Sequence, residues 1–152
     1  MVTVREAVSA VRDPEIRVIT IAELGILRDV TLVDGHVTVT ITPTYSGCPA
    51  MDVIRQDIVA AAHDAGYDDV DVRTVLAEPW STDWISDEGR AKLAAAGIAP
   101  PSKRAAALTL SVRCPLCGSP DTEQLSRFGS TACKSLWRCR ACREPFDLVK
   151  TI

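Results

Sequence analysis

The sequence predicts a mixed α/β (α+β) protein of two modules: a small α-β-β-α-β domain and then an all-β module closed around four cysteines. Three observations predict it. Two Val/Ile/Thr-rich runs flank Asp34-Gly35, between segments with helical apolar stripes. The stretch "IAPPSKRAAA" then breaks the pattern and reads as a linker. Beyond it, five of the six cysteines fall within 29 residues, four of them as two C-x-x-C pairs. The expected boundaries are residues 1–98 for the first module, 99–107 for the linker and 108–152 for the second module.

Each element has a local reason. "TVREAVSAV" reads as a helix: Thr3 and Glu6 fit a capping box, and Val4, Ala7, Val8 and Val11 share one face. Asp13-Pro14 ends it, because the residue before proline avoids helical angles. "ITIAELGI" follows, with Gly25 as the expected turn. "ILRDVTLVDGHVTVTIT" is a hairpin, since Asp-Gly favours the type I′ turn. Val37, Val39 and Ile41 alternate with Thr38, Thr40 and Thr42, so one face is apolar and the other polar.

"PAMDVIRQDIVAAAHDAG" is a second helix, with Pro49 in its first turn and Gly66 just past its end. Met51, Ile54, Ile58, Ala61, Ala62 and Ala65 form its apolar stripe. "VDVRTVL" is a third strand, with Val70, Val72 and Leu76 expected inward. "EPWSTDWIS" reads as a loop. Ser86 then caps a helix over 87–96 that Gly97 closes.

Bulk properties narrow the function classes. The 152 residues are 47% hydrophobic, a globular value, and no apolar run reaches the length of a membrane span. The N-terminus carries charges through its apolar stretch, unlike a signal peptide, so a cytoplasmic protein is expected. Cysteines there are metal ligands or reactive thiols more often than disulfides. Residues 1–98 carry 16 acids and 8 bases and residues 99–152 carry 4 acids and 9 bases, so net charges of −8 and +5 sum to −3. Such asymmetry fits either a basic surface for an acidic partner or two modules that complement each other.

Cys114-Pro-Leu-Cys117 and Cys139-Arg-Ala-Cys142 present four thiolates that can close tetrahedrally on one Zn²⁺. Gly118 suits the tight turn that aims backbone N–H groups at sulfur. "TEQLSRF", "SLWRC" and "PFDLV" alternate as short strands, completing a zinc-ribbon pattern. So short a module buries little core, so the metal would supply much of its folding energy. Iron in the same S₄ site is the rival. Cys133 is left outside the two pairs, as an alternative ligand. Arg127, Lys134, Arg138, Arg140 and Arg143 supply positive charge. Trp137 and Phe146 are expected in the ribbon's core rather than on a binding face.

Cys48 stands apart, just before Pro49. A thiol at a helix start feels the positive end of the macrodipole, which favours the thiolate. The competing reading is a buried structural cysteine. A Cys–His nucleophile needs a base, and the two histidines are badly placed: His36 starts a strand and His63 lies about 20 Å along the helix, at 1.5 Å per residue. Hydrolase chemistry is therefore disfavoured, and no phosphate loop, dinucleotide fingerprint or HExxH is present.

"DPEIRVITIAELGILRDV", "ITPTYSGCPAMDVI" and "PWSTDWISDEGRAKLAAAGIAPP" resemble the small domain of iron–sulfur assembly factors. Joined to "FGSTACKSLWRCRACREPFDLVK", nearly the whole chain resembles the accessory subunits of phenylacetate-CoA oxygenases, the PaaD/PaaJ family. Arg17 stands where such proteins often have proline. The resemblance implies an assembly-type domain whose motif cysteine is Cys48, with Asp13 and Glu15 as its acidic pair and Thr44 as its threonine.

It also implies a non-enzymatic role: maturation of an iron–sulfur or metal centre in a phenylacetyl-CoA epoxidase component, such as a reductase with a ferredoxin-type cluster. One thiolate is too few for stable cluster ligation, so a cluster at Cys48 would be transient and shared across a homodimer. The alternatives are an electron-transfer or structural subunit with an iron-loaded ribbon and, less favoured, a nucleic-acid-binding ribbon.

Overall fold

The computed structural model describes residues 1–45, 47–101 and 112–151. The elements run α1 (Val4–Ser9), β1 (Leu27–Val33), β2 (His36–Ile41), α2 (Ala50–Asp64), β3 (Val70–Thr74), a 3₁₀ turn (Thr82–Trp84), α3 (Asp87–Ala95), β4 (Ile98–Ala99), β5 (Thr122–Ser126), β6 (Lys134–Cys139) and β7 (Pro145–Val149). They form two compact units, Met1–Ser86 and Asp87–Ile152. Among the described residues, no helix is long and apolar enough to cross a membrane.

In the first unit, the expected α-β-β-α-β order builds a three-stranded sheet, β1-β2-β3. Asp34 (φ 51°) and Gly35 (φ 85°) both occupy the left-handed region, as a type I′ turn requires, and pair Val33 with His36. Val37, Val39 and Ile41 are fully buried, while Thr38 and Thr40 on the opposite face stay half-exposed. The Thr3–Glu6 capping box forms, and Val4 and Val8 are buried.

Helix α2 buries Ala50, Met51, Ile54, Ile58 and Ala62. It ends in a Schellman motif: Gly66 (φ 91°) donates to the His63 carbonyl at 2.8 Å and Tyr67 to the Ala62 carbonyl at 3.0 Å. Ala61 and Ala65 are only half-buried at the edge of the expected stripe. Strand β3 runs parallel to β2 and stops at Thr74, paired with Ile41. Leu76, expected inward, lies past that pairing and is exposed.

The "PWSTDW" stretch is more ordered than a simple loop. Trp80 is buried and its indole N–H donates to the Leu24 carbonyl at 2.9 Å. Arg28 stacks over the Trp84 ring at 3.8 Å. Gly25 (φ 82°) sits under Trp84, where an added Cβ would fall 2.7 Å from the Trp84 Cβ and 2.8 Å from its carbonyl oxygen. The glycine is thus required for its backbone angle and for space.

In the second unit, α3 starts directly after Ser86, and Gly97 (φ 77°) turns the chain into β4. The sheet order is β4-β7-β6-β5, with β5, β6 and β7 antiparallel. Ile98 and Ala99 pair in parallel with Asp147 and Leu148, so the first residue of the expected linker is a strand residue. Most of that stretch, 102–107, lies outside the described residues. Among the described residues, the ribbon's core cluster is Ala99, Cys114, Cys139 and Phe146, with Val112, Trp137, Cys142 and Leu148 packed against it. Trp137 and Phe146 therefore serve packing, as expected.

Candidate metal centre and the Cys48 loop

The Sγ atoms of Cys114, Cys117, Cys139 and Cys142 all lie within 4.8 Å of one another. Two closer pairs are Cys114–Cys142 at 3.8 Å and Cys117–Cys139 at 3.5 Å. A disulfide would need about 2.05 Å, so these are four separate thiols. A tetrahedron with Zn–S bonds of about 2.3 Å has S···S edges of about 3.8 Å. The cluster therefore fits a tetrahedral thiophilic ion, and a hydrophobic core would not gather four sulfurs this way.

The knuckles repeat one device. The Leu116 N–H points at the Cys114 sulfur at 3.4 Å, and the Ser119, Ala141 and Glu144 N–H groups serve Cys117, Cys139 and Cys142 in the same i+2 relation. Gly118 (φ 75°) follows the first knuckle and Arg143 (φ 65°) the second, so the second turn places a non-glycine residue in the left-handed region.

The thiols respond to one another as a cluster that calls for a cation. The Cys142 N–H, helped by the neighbouring Cys117 sulfur and the Ala141 N–H, outweighs burial and brings the Cys139 thiol down to about 7. For Cys142 the Glu144 N–H favours the thiolate, but burial and the sulfurs of Cys139, Cys114 and Cys117 overcome it and push the thiol up to about 12. Cys117 is also raised: the Ser119 N–H opposes, but the Cys139 sulfur, burial and the Cys114 sulfur prevail. Four thiolates cannot share this space without positive charge between them.

Cys133 lies outside the cluster. It precedes β6, whose far end carries Cys139, and its sulfur contacts Thr131 Oγ1 at 3.0 Å. The expected positive face is largely tied up. Arg138 and Arg140 both bind Glu123, at 3.0 Å through Arg138 Nε and 2.9 Å through Arg140 Nη2. Lys134, expected to be a surface cation, is buried with its ammonium 3.7 Å from the Asp147 carboxylate. Arg127 and Arg143 show no acidic partner among the described residues.

In the other unit, Cys48 occupies the β2–α2 loop immediately before Pro49. Pro49, expected as the first helical residue, is instead the N-cap, already with helical angles (φ −67°, ψ −21°), so α2 starts one position later at Ala50. The Cys48 carbonyl accepts the Met51 N–H at 3.2 Å, and the thiol residue is half-buried. Gly47 (φ 79°) leaves open space beside it. Thr44 lies four residues earlier in the same loop, half-buried.

Asp13 and Glu15 sit in the turn after α1. Asp13 is buried, and its carboxylate accepts the Glu15 N–H at 2.9 Å and the Ile16 N–H at 2.7 Å. Backbone bonds stitch this turn to the sheet: Asp13 to Ile19, Ile21 to Val11, Ile26 and Leu27 to Ile21, and Thr42 to Ile26. This relay of bonds ties the segment that carries the acidic turn to Ile26 and Thr42, at the C-terminal end of β2, from which the Cys48 loop departs. His36 begins β2 at the opposite end and pairs with Asp69 at 2.9 Å. His63 lies one residue before the end of α2.

Sequence reasoning missed a second capping box. The Thr20 N–H donates to Glu23 Oε2 at 3.0 Å and the Glu23 N–H to Thr20 Oγ1 at 3.1 Å. The signal was present as "TIAE", the Thr-x-x-Glu pattern.

A family model described as "Iron-sulfur cluster assembly protein" matches residues 2–75, and one described as "PaaD zinc beta ribbon domain" matches residues 98–150. The chain is 45% identical over 146 residues to an Escherichia coli (strain K12) protein named as a component of 1,2-phenylacetyl-CoA epoxidase, covering 95% of this chain and 88% of that one. It is 35% identical over 85 residues to a Porphyromonas gingivalis Fe-S protein maturation auxiliary factor, covering 55% of this chain and 80% of the relative. A solved domain of unknown function (DUF59) from Bacillus anthracis superposes with a TM-score of 0.54 at 28% identity, covering 59% of this chain and 87% of that one. An assembly-type fold, a four-cysteine ribbon and near full-length identity agree: the chain belongs to the PaaD family of phenylacetyl-CoA epoxidase components.

Proposed function

We propose that the protein is a non-enzymatic maturation factor for a phenylacetyl-CoA epoxidase, assisting assembly of an iron–sulfur or metal centre in one of its components. The observation that carries this reading is the division of the sulfurs. Four are gathered in one cluster in the second unit, while Cys48 stands in the first unit at the end of the sheet beside a helix start. Cys48 is therefore not required as a structural ligand.

In this reading Cys48 holds iron or a cluster as cargo and passes it to the client, with the cluster shared across a homodimer. Asp13 shapes the turn by binding two of its N–H groups. Glu15 from the acidic turn and Thr44 from the Cys48 loop flank the cargo. Cys114, Cys117, Cys139 and Cys142 hold one structural Zn²⁺, and zinc there closes and stabilises the ribbon. The ribbon docks the client.

The test is anaerobic co-purification with the epoxidase components, with zinc and iron measured on the wild type and Cys48→Ser. One zinc per chain in both proteins is expected, with iron associated only with the wild type. Iron retained equally by Cys48→Ser would remove Cys48 from the scheme. The four-sulfur geometry also accepts iron. A red, iron-containing ribbon would favour the second reading, an electron-transfer subunit.

A further inference from the structure

The ribbon's end remote from the four cysteines carries a feature that packing does not explain. Among the described residues Phe128 is the most exposed aromatic side chain, at 67%. It stands at the β5–β6 turn, and β6 runs from this turn to Cys139 at the metal end. A loose phenylalanine on a surface loop would mean little, but this one is held in place. Its N–H donates to Ser126 Oγ at 3.1 Å. The next residue, Gly129, donates to the Lys134 carbonyl at 2.8 Å, and a Cβ there would displace the Asp147 carboxylate, whose Oδ1 it would meet.

Ser130 Oγ donates to the same Asp147 carboxylate at 2.7 Å, and the buried Lys134 faces it. From the C-terminal end of β7, the Lys150 ammonium lies 4.3 Å from the Phe128 ring centroid and donates to the Ala132 carbonyl at 2.9 Å.

A second exposed apolar residue lies on the same strand end. The β5–β6 register shifts between Gln124 and Ser126, leaving Leu125 as the extra residue of a bulge, half exposed. Bulges on edge strands re-aim side chains and recur beside functional sites. Arg127 lies between the bulge and Phe128, without an acidic partner among the described residues.

An exposed aromatic held in a hydrogen-bonded loop, with an ammonium over its ring and a further cation next to it in the chain, has the composition of an interface anchor. Its ordering cost has been met before binding, and Phe, Arg and Lys stems can be desolvated together. We infer that Phe128, with Leu125, Arg127 and Lys150, is the anchor by which the ribbon docks a protein partner through an apolar pocket rimmed by carboxylates. The cations set the sign of the rim. A stacked nucleobase is the less favoured occupant, because Lys150 already covers a face of the ring. This rests on the proposed docking role of the ribbon and adds its residues and the partner's chemistry.

The experiment uses the full chain and purified components of a phenylacetyl-CoA epoxidase, comparing wild type, Phe128→Ala and Lys150→Glu for metal content, circular dichroism and affinity at low and high salt. Phe128→Ala should weaken association by about 30-fold or more with metal and fold unchanged. Lys150→Glu should weaken it at low salt and less at high salt. Wild-type affinity in both variants overturns the anchor, as does a wild-type chain that binds no component. A single-stranded oligonucleotide bound through Phe128 with a steep salt slope would overturn the choice of a protein partner. Client maturation by Cys48→Ser bears on the proposed function alone and leaves the anchor standing.

Discussion

The two units reach stability by different routes. The first buries Val8, Ile19, Ile21, Val37, Val39, Ile41, Ile54 and Ile58 completely and carries one cysteine. In the second, Cys114 and Cys139 of the four-sulfur cluster are themselves buried in the ribbon core beside Ala99 and Phe146, so the candidate ligands are part of what is packed. A unit with its own aliphatic core can leave its thiol for other work. A unit whose thiols are packed into its small core has them committed to folding.

That contrast can be broken at several points. The largest effect is expected from Cys139→Ser. Structural zinc sites are worth about 10–16 kcal/mol, so the variant should lose metal and hydrogen-exchange protection over 112–150 while residues 1–86 stay protected. Equal loss in both units would mean that they fold as one. Acid should act in the same direction: the ligands must be deprotonated, and Cys142 and Cys117 hold their protons tightly without metal. Metal release should therefore increase as pH falls, read by a chromogenic chelator.

Gly25→Ala should invert the pattern, destabilising the first unit by about 3 kcal/mol through the clash with Trp84 and the positive φ. Metal content should not change. Asp13→Ala should cost about 1–3 kcal/mol, because two N–H groups in the turn lose their acceptor. The smallest effect, about 1 kcal/mol in chemical denaturation, is expected for Thr3→Ala at the first capping box.

Features legible in the sequence are those whose causes are local. Asp34-Gly35 specifies its own turn, Thr3 and Glu6 their own cap, and Gly66 its own helix end. The two C-x-x-C knuckles are likewise local, and pairing them left Cys133 out of the cluster. What was not legible depends on partners distant in the chain. Ile98 and Ala99 become a strand only because β7, nearly fifty residues later, offers an edge. Leu76 fits an alternating pattern, but the β2 partner strand ends opposite Thr74.

Lys134 sits in a run of cations and reads as surface until Asp147 is placed beside it. At the Cys48 site, Cys48 and Thr44 share a loop and are visible as one motif. The tie between the Asp13 segment and the end of β2 follows from backbone bonds through Ile21 and Ile26, which no local pattern announces.

Cys48 is where the proposed function is most exposed to refutation. The decisive measurement is maturation of the epoxidase client, read by the visible absorption of its metal centre, with wild type and Cys48→Ser compared at equal ribbon-metal content and equal stability. The division of the sulfurs predicts that Cys48→Ser folds, keeps its ribbon metal and leaves the client immature. A client matured to the wild-type level by Cys48→Ser would contradict it.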